Sequence, residues 1–224
     1  MAQGIGEVLT FAVGVAISPV PIIAVILMLF SGRAKVNGPM FLAGWVVALA
    51  VVSGAAYLLS DAGNVSTDST AADGVSWAQI VFGILFLLLA ARSWRSRPAP
   101  GTEPQMPKWM AGIDAFAPGK ALGLGLLLAG VNPKNLLLAA GAGSALAVTG
   151  PSATEAAVAL IVFVAVGSLT IAGPVVFYLT GGDRAKTQLD SAKEWLTVHN
   201  DAVMTVLFLV LGVNLIAKGI PPLA

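Results

Sequence analysis

Two short motifs in this sequence carry residues that can do chemistry inside a membrane. Ser18-Pro19-Val20-Pro21 and Asn132-Pro133-Lys134-Asn135 each lie near the middle of a long apolar run. Proline lacks the backbone N–H and clashes with the preceding turn, so each motif interrupts a helix. Each also reads as a restart, with Ser18 or Asn132 as N-cap and Pro19 or Pro133 at the first helical position. A restarted helix presents free N–H groups and a partial positive charge. Lys134 adds a full charge, at roughly 2.5–3.5 kcal/mol for a lysine at the bilayer centre on insertion scales. Glu7, Glu155 and Asp201 all sit near the ends of apolar runs, so no carboxylate is deep enough to pair with it. A buried cation beside two half-helix N-termini suits an anion such as phosphate or carboxylate. The alternative is a pair of proline kinks satisfied by neighbouring helices, with Lys134 bonded to carbonyls that Pro133 frees.

The elements that hold these motifs follow from composition. Of 224 residues, 57% are hydrophobic and 10% charged, and mean hydropathy is +0.89. Soluble domains carry about 25% charged residues. A bilayer accommodates this much apolar surface at about 20 residues per helical span. A soluble enzyme, a nucleic-acid binder and a disordered chain are therefore excluded together. Cysteine is absent and His199 is the single histidine, which removes thiolate, iron–sulfur and multi-histidine metal sites. No metal and no cofactor is expected. There is no nucleophile–base pair, no paired carboxylates and no nucleotide-binding glycine loop, so no enzyme is expected. Met1–Glu7 carries no Lys or Arg, so the first apolar run reads as a retained span rather than a signal peptide.

Charge-free runs predict an all-α polytopic membrane protein with six transmembrane helices at 5–30, 38–60, 75–94, 120–147, 154–180 and 201–220. With that count, ten of the twelve basic residues fall on one side, in the loops at 31–37, 95–119 with its flanks, and 181–200. The loop at 61–74 holds Asp61, Asp68 and Asp73 but no Lys or Arg. The positive-inside rule then puts the basic loops in the cytoplasm and both termini outside the plasma membrane. Pro98, Pro100, Pro104 and Pro107 make 95–119 an extended cytoplasmic linker between two three-helix repeats, 1–94 and 120–224. Three spans per half is odd, so related halves form an inverted repeat, with helices 1 and 4 interrupted at corresponding places. Ser168, Thr170, Pro174, Tyr178 and Asn214 either line a path or act as interhelical glue. Gly44, Gly54, Gly83, Gly167 and Gly173 read as close-packing points. Asp183–Asn200 is either a short amphipathic helix on the cytoplasmic face or a solvated loop.

The blocks Ser18-Pro19-Val20-Pro21-Ile22-Ile23-Ala24-Val25-Ile26-Leu27, Asn37-Gly38-Pro39-Met40-Phe41-Leu42-Ala43-Gly44-Trp45 and Val131-Asn132-Pro133-Lys134-Asn135-Leu136-Leu137-Leu138 resemble the GAP family. This is the actinobacterial glycopeptidolipid- and sulfolipid-addressing group of the lysine exporter (LysE) superfamily. The resemblance covers nearly the whole chain. It implies a six-helix inner-membrane protein with inverted repeats that moves envelope lipids or their precursors toward the cell surface. Pro19, Pro21, Asn132, Pro133, Lys134 and Asn135 are the motif positions it carries over. Amino-acid exporters of the superfamily have glycine between the two prolines, where this chain has Val20. The thiol-redox and nickel/cobalt branches need residues this chain lacks.

Three readings result. The first is a transporter or flippase for an anionic envelope lipid, with Ser18, Pro19, Pro21, Asn132, Pro133, Lys134 and Asn135 at the binding site. The second is an exporter of an amino acid or other small anion. The third is a membrane scaffold assisting a lipid export complex. Expected partners are membrane lipids with an anionic head group and no nucleic acid; a homo-oligomer or envelope-lipid export proteins are compatible with the sequence.

Overall fold

Proline decides where two of the apolar runs cease to be single helices. The computed structural model describes residues 2–64, 70–97 and 108–220, without the side chains of 63, 64, 70–79, 108, 109, 111, 114, 182, 183 and 218. Most of the Pro-rich linker (98–107) and the stretch holding Asp68 lie outside the described residues, as do the side chains of Asp73, Asp183 and Lys218. The first run is α1 (Ala2–Ala16) followed by α2 (Pro19–Phe30), bent by 56°. Then come α3 (Ala34–Asn64) and α4 (Thr70–Ser96). A 3-10 segment (Lys108–Ala115) precedes α5 (Pro118–Gly130) and α6 (Pro133–Val148), which meet at a 64° bend, and α7 is Ala153–Gly219. Among the described residues the structure is all helical.

Three stretches, Ala34–Ala62, Ala153–Gly181 and Arg184–Ala217, are long and apolar enough to cross a membrane. Each bent pair passes as one further span, giving up to five. At least two thirds of the residues in those three apolar windows are not buried within the protein, as expected of helices solvated by lipid. The fold is thus a helical one compatible with a multi-pass membrane protein; α4 contains residues 75–94 but is not among those five candidate spans.

The helices exceed their expected lengths, and one expected connection is helical. Residues 181–200 continue α7, which is assigned unbroken over 67 residues. The stretch is rich in helix formers (Ala185, Lys186, Gln188, Leu189, Ala192, Lys193, Glu194) and has no Gly or Pro after Gly182. A straight helix of that length would measure about 100 Å, over three times the hydrocarbon core, and it carries two separate apolar windows.

The contacts divide the chain into two units. The first comprises Met1–Ala62 and Gln105–Thr197. Within it α1 packs along α6, and α2 packs on α5 and on the 3-10 segment. The two bent spans therefore run antiparallel, with their breaks opposed. α3 crosses α5 and α6 at backbone contact: a Cβ on Gly44 would strike the Leu122 carbonyl, one on Gly125 that of Phe41, and one on Gly143 that of Ser53. Gly167 likewise faces Val15 and Leu49, whereas Gly54 and Gly173 have nothing within 4 Å and are not packing points. The core is built from Val8, Phe11 and Val15 of α1, Ile23, Val25, Ile26, Met28 and Leu29 of α2, Phe41, Trp45 and Leu49 of α3, Leu138 and Leu146 of α6, and Phe163 and Ile171 of α7.

The 3-10 segment occupies part of the expected extended linker. Met110, Ile113 and Phe116 are three residues apart, the period of a 3-10 helix. Met110 and Ile113 are buried, at about 1.5–3 kcal/mol each.

The second unit comprises Gly63–Pro104 and Val198–Ala224. Gly83 and Gly212 touch reciprocally, each leaving no room for a Cβ against the other's carbonyl. Phe86 stacks on Phe208 with ring centroids 5.7 Å apart. Val81, Ile84 and Leu88 of α4 and Val206, Val210 and Val213 of α7 are exposed, the outward face of apolar helices.

Candidate functional site

At the first break, two prolines orphan two carbonyls. In an uninterrupted helix the Val15 carbonyl would accept from residue 19 and the Ile17 carbonyl from residue 21. Both positions are proline and have no N–H. The Ser18 hydroxyl lies 2.5 Å from Val15 O, replacing the first missing donor. The Lys134 ammonium lies 2.6 Å from Ile17 O, replacing the second across 117 residues of sequence. Ala16 O, between them, accepts from Ser18 N at 2.9 Å and from the Thr170 hydroxyl of α7 at 2.7 Å.

The same groups tie the two breaks together. Lys134 Nζ also donates to Ser18 Oγ at 2.7 Å. Ser18 Oγ is 3.1 Å from Asn135 Oδ1. Its single proton has two acceptors within reach, and the shorter bond goes to Val15 O. Asn135 Nδ2 donates to Leu128 O at 2.9 Å. That carbonyl is open because the Asn132 N–H bonds Leu127 O instead. Asn132 is the N-cap of α6, its Oδ1 accepting from Lys134 N at 3.1 Å, with Pro133 at the first helical position. Ser18 sits at the N-cap position of α2, but its side chain makes no cap bond there.

The sequence-predicted residues Ser18, Lys134 and Asn135 are thus in direct contact. Asn132 and Pro133 shape the second break, and Pro19 and Pro21 act through the donors they lack. The expectation that Lys134 stands open to an anion is not met. It is 5% exposed, and its ammonium is spent on a protein carbonyl and a hydroxyl. The physical reason is Pro21: without it Ile17 O would have its own backbone partner. The lysine also sits at the C-terminal, negative end of the α1 dipole, which favours a cation. The anticipated row of free N–H groups is short as well. Of the first three positions of α2 only Val20 carries an N–H.

The path-lining candidates separate. Ser168 is buried on α7 and its hydroxyl has no partner among the described residues. Tyr178 is half-buried eight residues beyond Thr170, about 12 Å along the helix. Asn214 belongs to the second unit and is exposed. Thr170 is the hydroxyl that reaches the break, and nothing in its sequence context distinguishes it from the other span hydroxyls. An open cavity of about 80 Å³ lies elsewhere in the first unit, lined by Gln3, Gly4, Leu146, Thr149, Pro151 and Glu155 among others. Leu146 is twelve residues from Lys134, about 18 Å along α6.

Two bent spans thus meet at a buried polar cluster of Ser18, Lys134 and Asn135. Residues 8–221 match the family described as Sap, sulfolipid-1-addressing protein. No curated protein and no solved structure is significantly similar to the chain. The match spans nearly the whole chain, so the protein belongs to the sulfolipid-1-addressing protein family.

Proposed function

We propose that this member of the sulfolipid-1-addressing family is a transporter or flippase that moves an anionic envelope lipid, or its precursor, across the plasma membrane. The observation that carries the reading is the meeting of two broken spans at Lys134, Ser18 and Asn135. Interrupted helices at corresponding positions of two halves are the usual mark of a transporter site. The family's name points to sulfolipids, which carry an anionic head and long apolar chains. The ammonium has three donors, two of them engaged with neutral oxygens. An anionic head would bind by taking the third or by displacing the Ser18 hydroxyl. No covalent step is assigned to the protein.

Six spans in two inverted repeats, as in the lysine exporter superfamily, fit this mechanism. The division into units supports the repeat. Residues of the expected first, second, fourth and fifth spans share one unit, and those of the third and sixth share the other. Counterparts therefore stay together, as a two-fold relation between halves requires. The basic loops would face the cytoplasm and both termini the outside.

The test uses purified wild type, Lys134→Met and Lys134→Arg in vesicles, with a labelled anionic lipid and a zwitterionic one. Wild type should translocate the anionic lipid faster. The Met variant, still folded by circular dichroism, should lose that preference, and Arg should fall between because it keeps charge but changes geometry. A folded Met variant that translocates as fast as wild type would sink the reading.

The burial of Lys134 favours a second reading, a membrane scaffold assisting a lipid export complex, because a buried lysine held by its own protein needs no ligand. Wild type that is inert in vesicles, yet restores lipid export in cells, would favour the scaffold.

A further inference from the structure

The 3-10 segment is the element that the lipid reading leaves without a role. Met110 and Ile113 within it and Phe116 just past its end are spaced by three, the period that puts them on one side. Met110 is 4% exposed and Ile113 wholly buried, and the segment packs on α2. Its exit is held by one side chain: Asn37 Nδ2 donates to Phe116 O at 2.9 Å. Asn37 is itself wholly buried, and its Oδ1 meets no donor. Asn37 lies in the first turn of α3, just past the turn that ends α2. The latch is therefore at the end of α2 away from the break.

Two features connect this contact to the break. α2 carries no polar side chain from Pro19 to Phe30, so it offers a continuous apolar lane from the latch to Ser18. Only Phe116 and Ala117 separate the segment from Pro118, where α5 begins. α5 ends at the second break, beside Asn132 and Lys134. The segment thus joins, through two residues, the helix that leads to the lysine.

The attachment is also light. Eight residues is long for a 3-10 run, whose hydrogen bonds are poorer and whose side chains eclipse. Among its described side chains, Met110 and Ile113 are the buried ones, and one hydrogen bond holds its exit. We infer that the 3-10 segment is a displaceable cover over α2, latched by Asn37, which lifts to let the acyl chain of an anionic lipid lie along α2 while its head approaches Lys134. This rests on the lipid-translocation reading and adds a gate to it, on the side of the basic loops.

The absence of cysteine makes the test direct. Single Ile113→Cys and Met110→Cys variants of the full chain are placed in vesicles of mixed phosphatidylglycerol and phosphatidylcholine, permeabilised to a water-soluble maleimide. Both cysteines should react slowly. Adding Asn37→Leu should speed the reaction about tenfold, the effect of losing one buried hydrogen bond, and should speed translocation of a labelled anionic lipid. If both cysteines stay blocked with Asn37→Leu in a protein folded by circular dichroism, the segment is a fixed strut and the inference is wrong. If lipid is translocated while both stay blocked, the cover fails and the translocation reading survives. If labelling accelerates but no variant translocates lipid, the cover stands and the translocation reading fails. Should Ile113→Cys not fold, Met110→Cys carries the same comparison.

Discussion

At the break beside Ser18, three successive carbonyls are met by side chains of residues from three parts of the chain: Ser18 itself, Lys134 of α6 and Thr170 of α7. At the break beside Asn132 the donors are local, from positions two and seven residues away. Exposure differs in the same sense. Ser18 is 3% exposed, whereas Val131 is 63% exposed. The cause is the count of prolines. Pro19 and Pro21 remove two of three successive donors; the Ser18 hydroxyl replaces one locally, and the other is imported from Lys134. Pro133 removes one, and Asn132 and Asn135 rebuild the turn beside it. Two motifs that look alike in sequence thus have opposite dependence on the rest of the fold.

The largest effect expected from this contrast is on stability at Lys134. In Lys134→Met, Ile17 O and Ser18 Oγ lose their common donor. The lysine is inside the membrane in the unfolded reference as well, so its insertion cost largely cancels. The lost bonds remain, worth about 1–3 kcal/mol. Thermal unfolding in detergent should fall accordingly; an unchanged midpoint would mean that the first break does not depend on an imported donor. Thr170→Val should cost less, about 1 kcal/mol, because Ala16 O keeps the Ser18 N–H. Unfolding of the double variant with Lys134→Met would reveal whether the two donors act on one break, since coupled sites are not additive. The smallest change is expected from Asn132→Ala. It removes one cap, about 0.5–1 kcal/mol, and should leave hydrogen exchange around Val15–Ile17 untouched. A loss of protection there would show that the second break props up the first, and the contrast would collapse.

Both breaks are legible in residue types alone. A proline's missing N–H is a covalent fact, so Ser18 and Asn132 mark the interruptions whatever surrounds them. The depth of Lys134 follows from the length of its apolar run. Its destination does not, because Ile17 O is brought to it only by the antiparallel pairing of α1 with α6. Thr170 is indistinguishable from other span hydroxyls for the same reason. The 3-10 segment is masked by prolines: four of them, from Pro98 to Pro107, favour an extended linker, although the three-residue spacing of Met110, Ile113 and Phe116 is there to be counted. The helical stretch at 181–200 is one of the two readings the sequence leaves open, because charge marks a connection without deciding its backbone conformation.

The bond from Lys134 to Ile17 O also sets an order of birth. The first bent span leaves the ribosome with one carbonyl, Ile17 O, whose donor lies 117 positions later. At about 5–20 residues per second, synthesis leaves that span waiting roughly 6–25 s. Through that interval the nascent first half holds an open polar seam, to be sheltered by the insertion machinery or by water until α6 arrives. The amino-terminal half is therefore a guest of the membrane before it is a fold, and its maturation is timed by translation of the carboxy-terminal half.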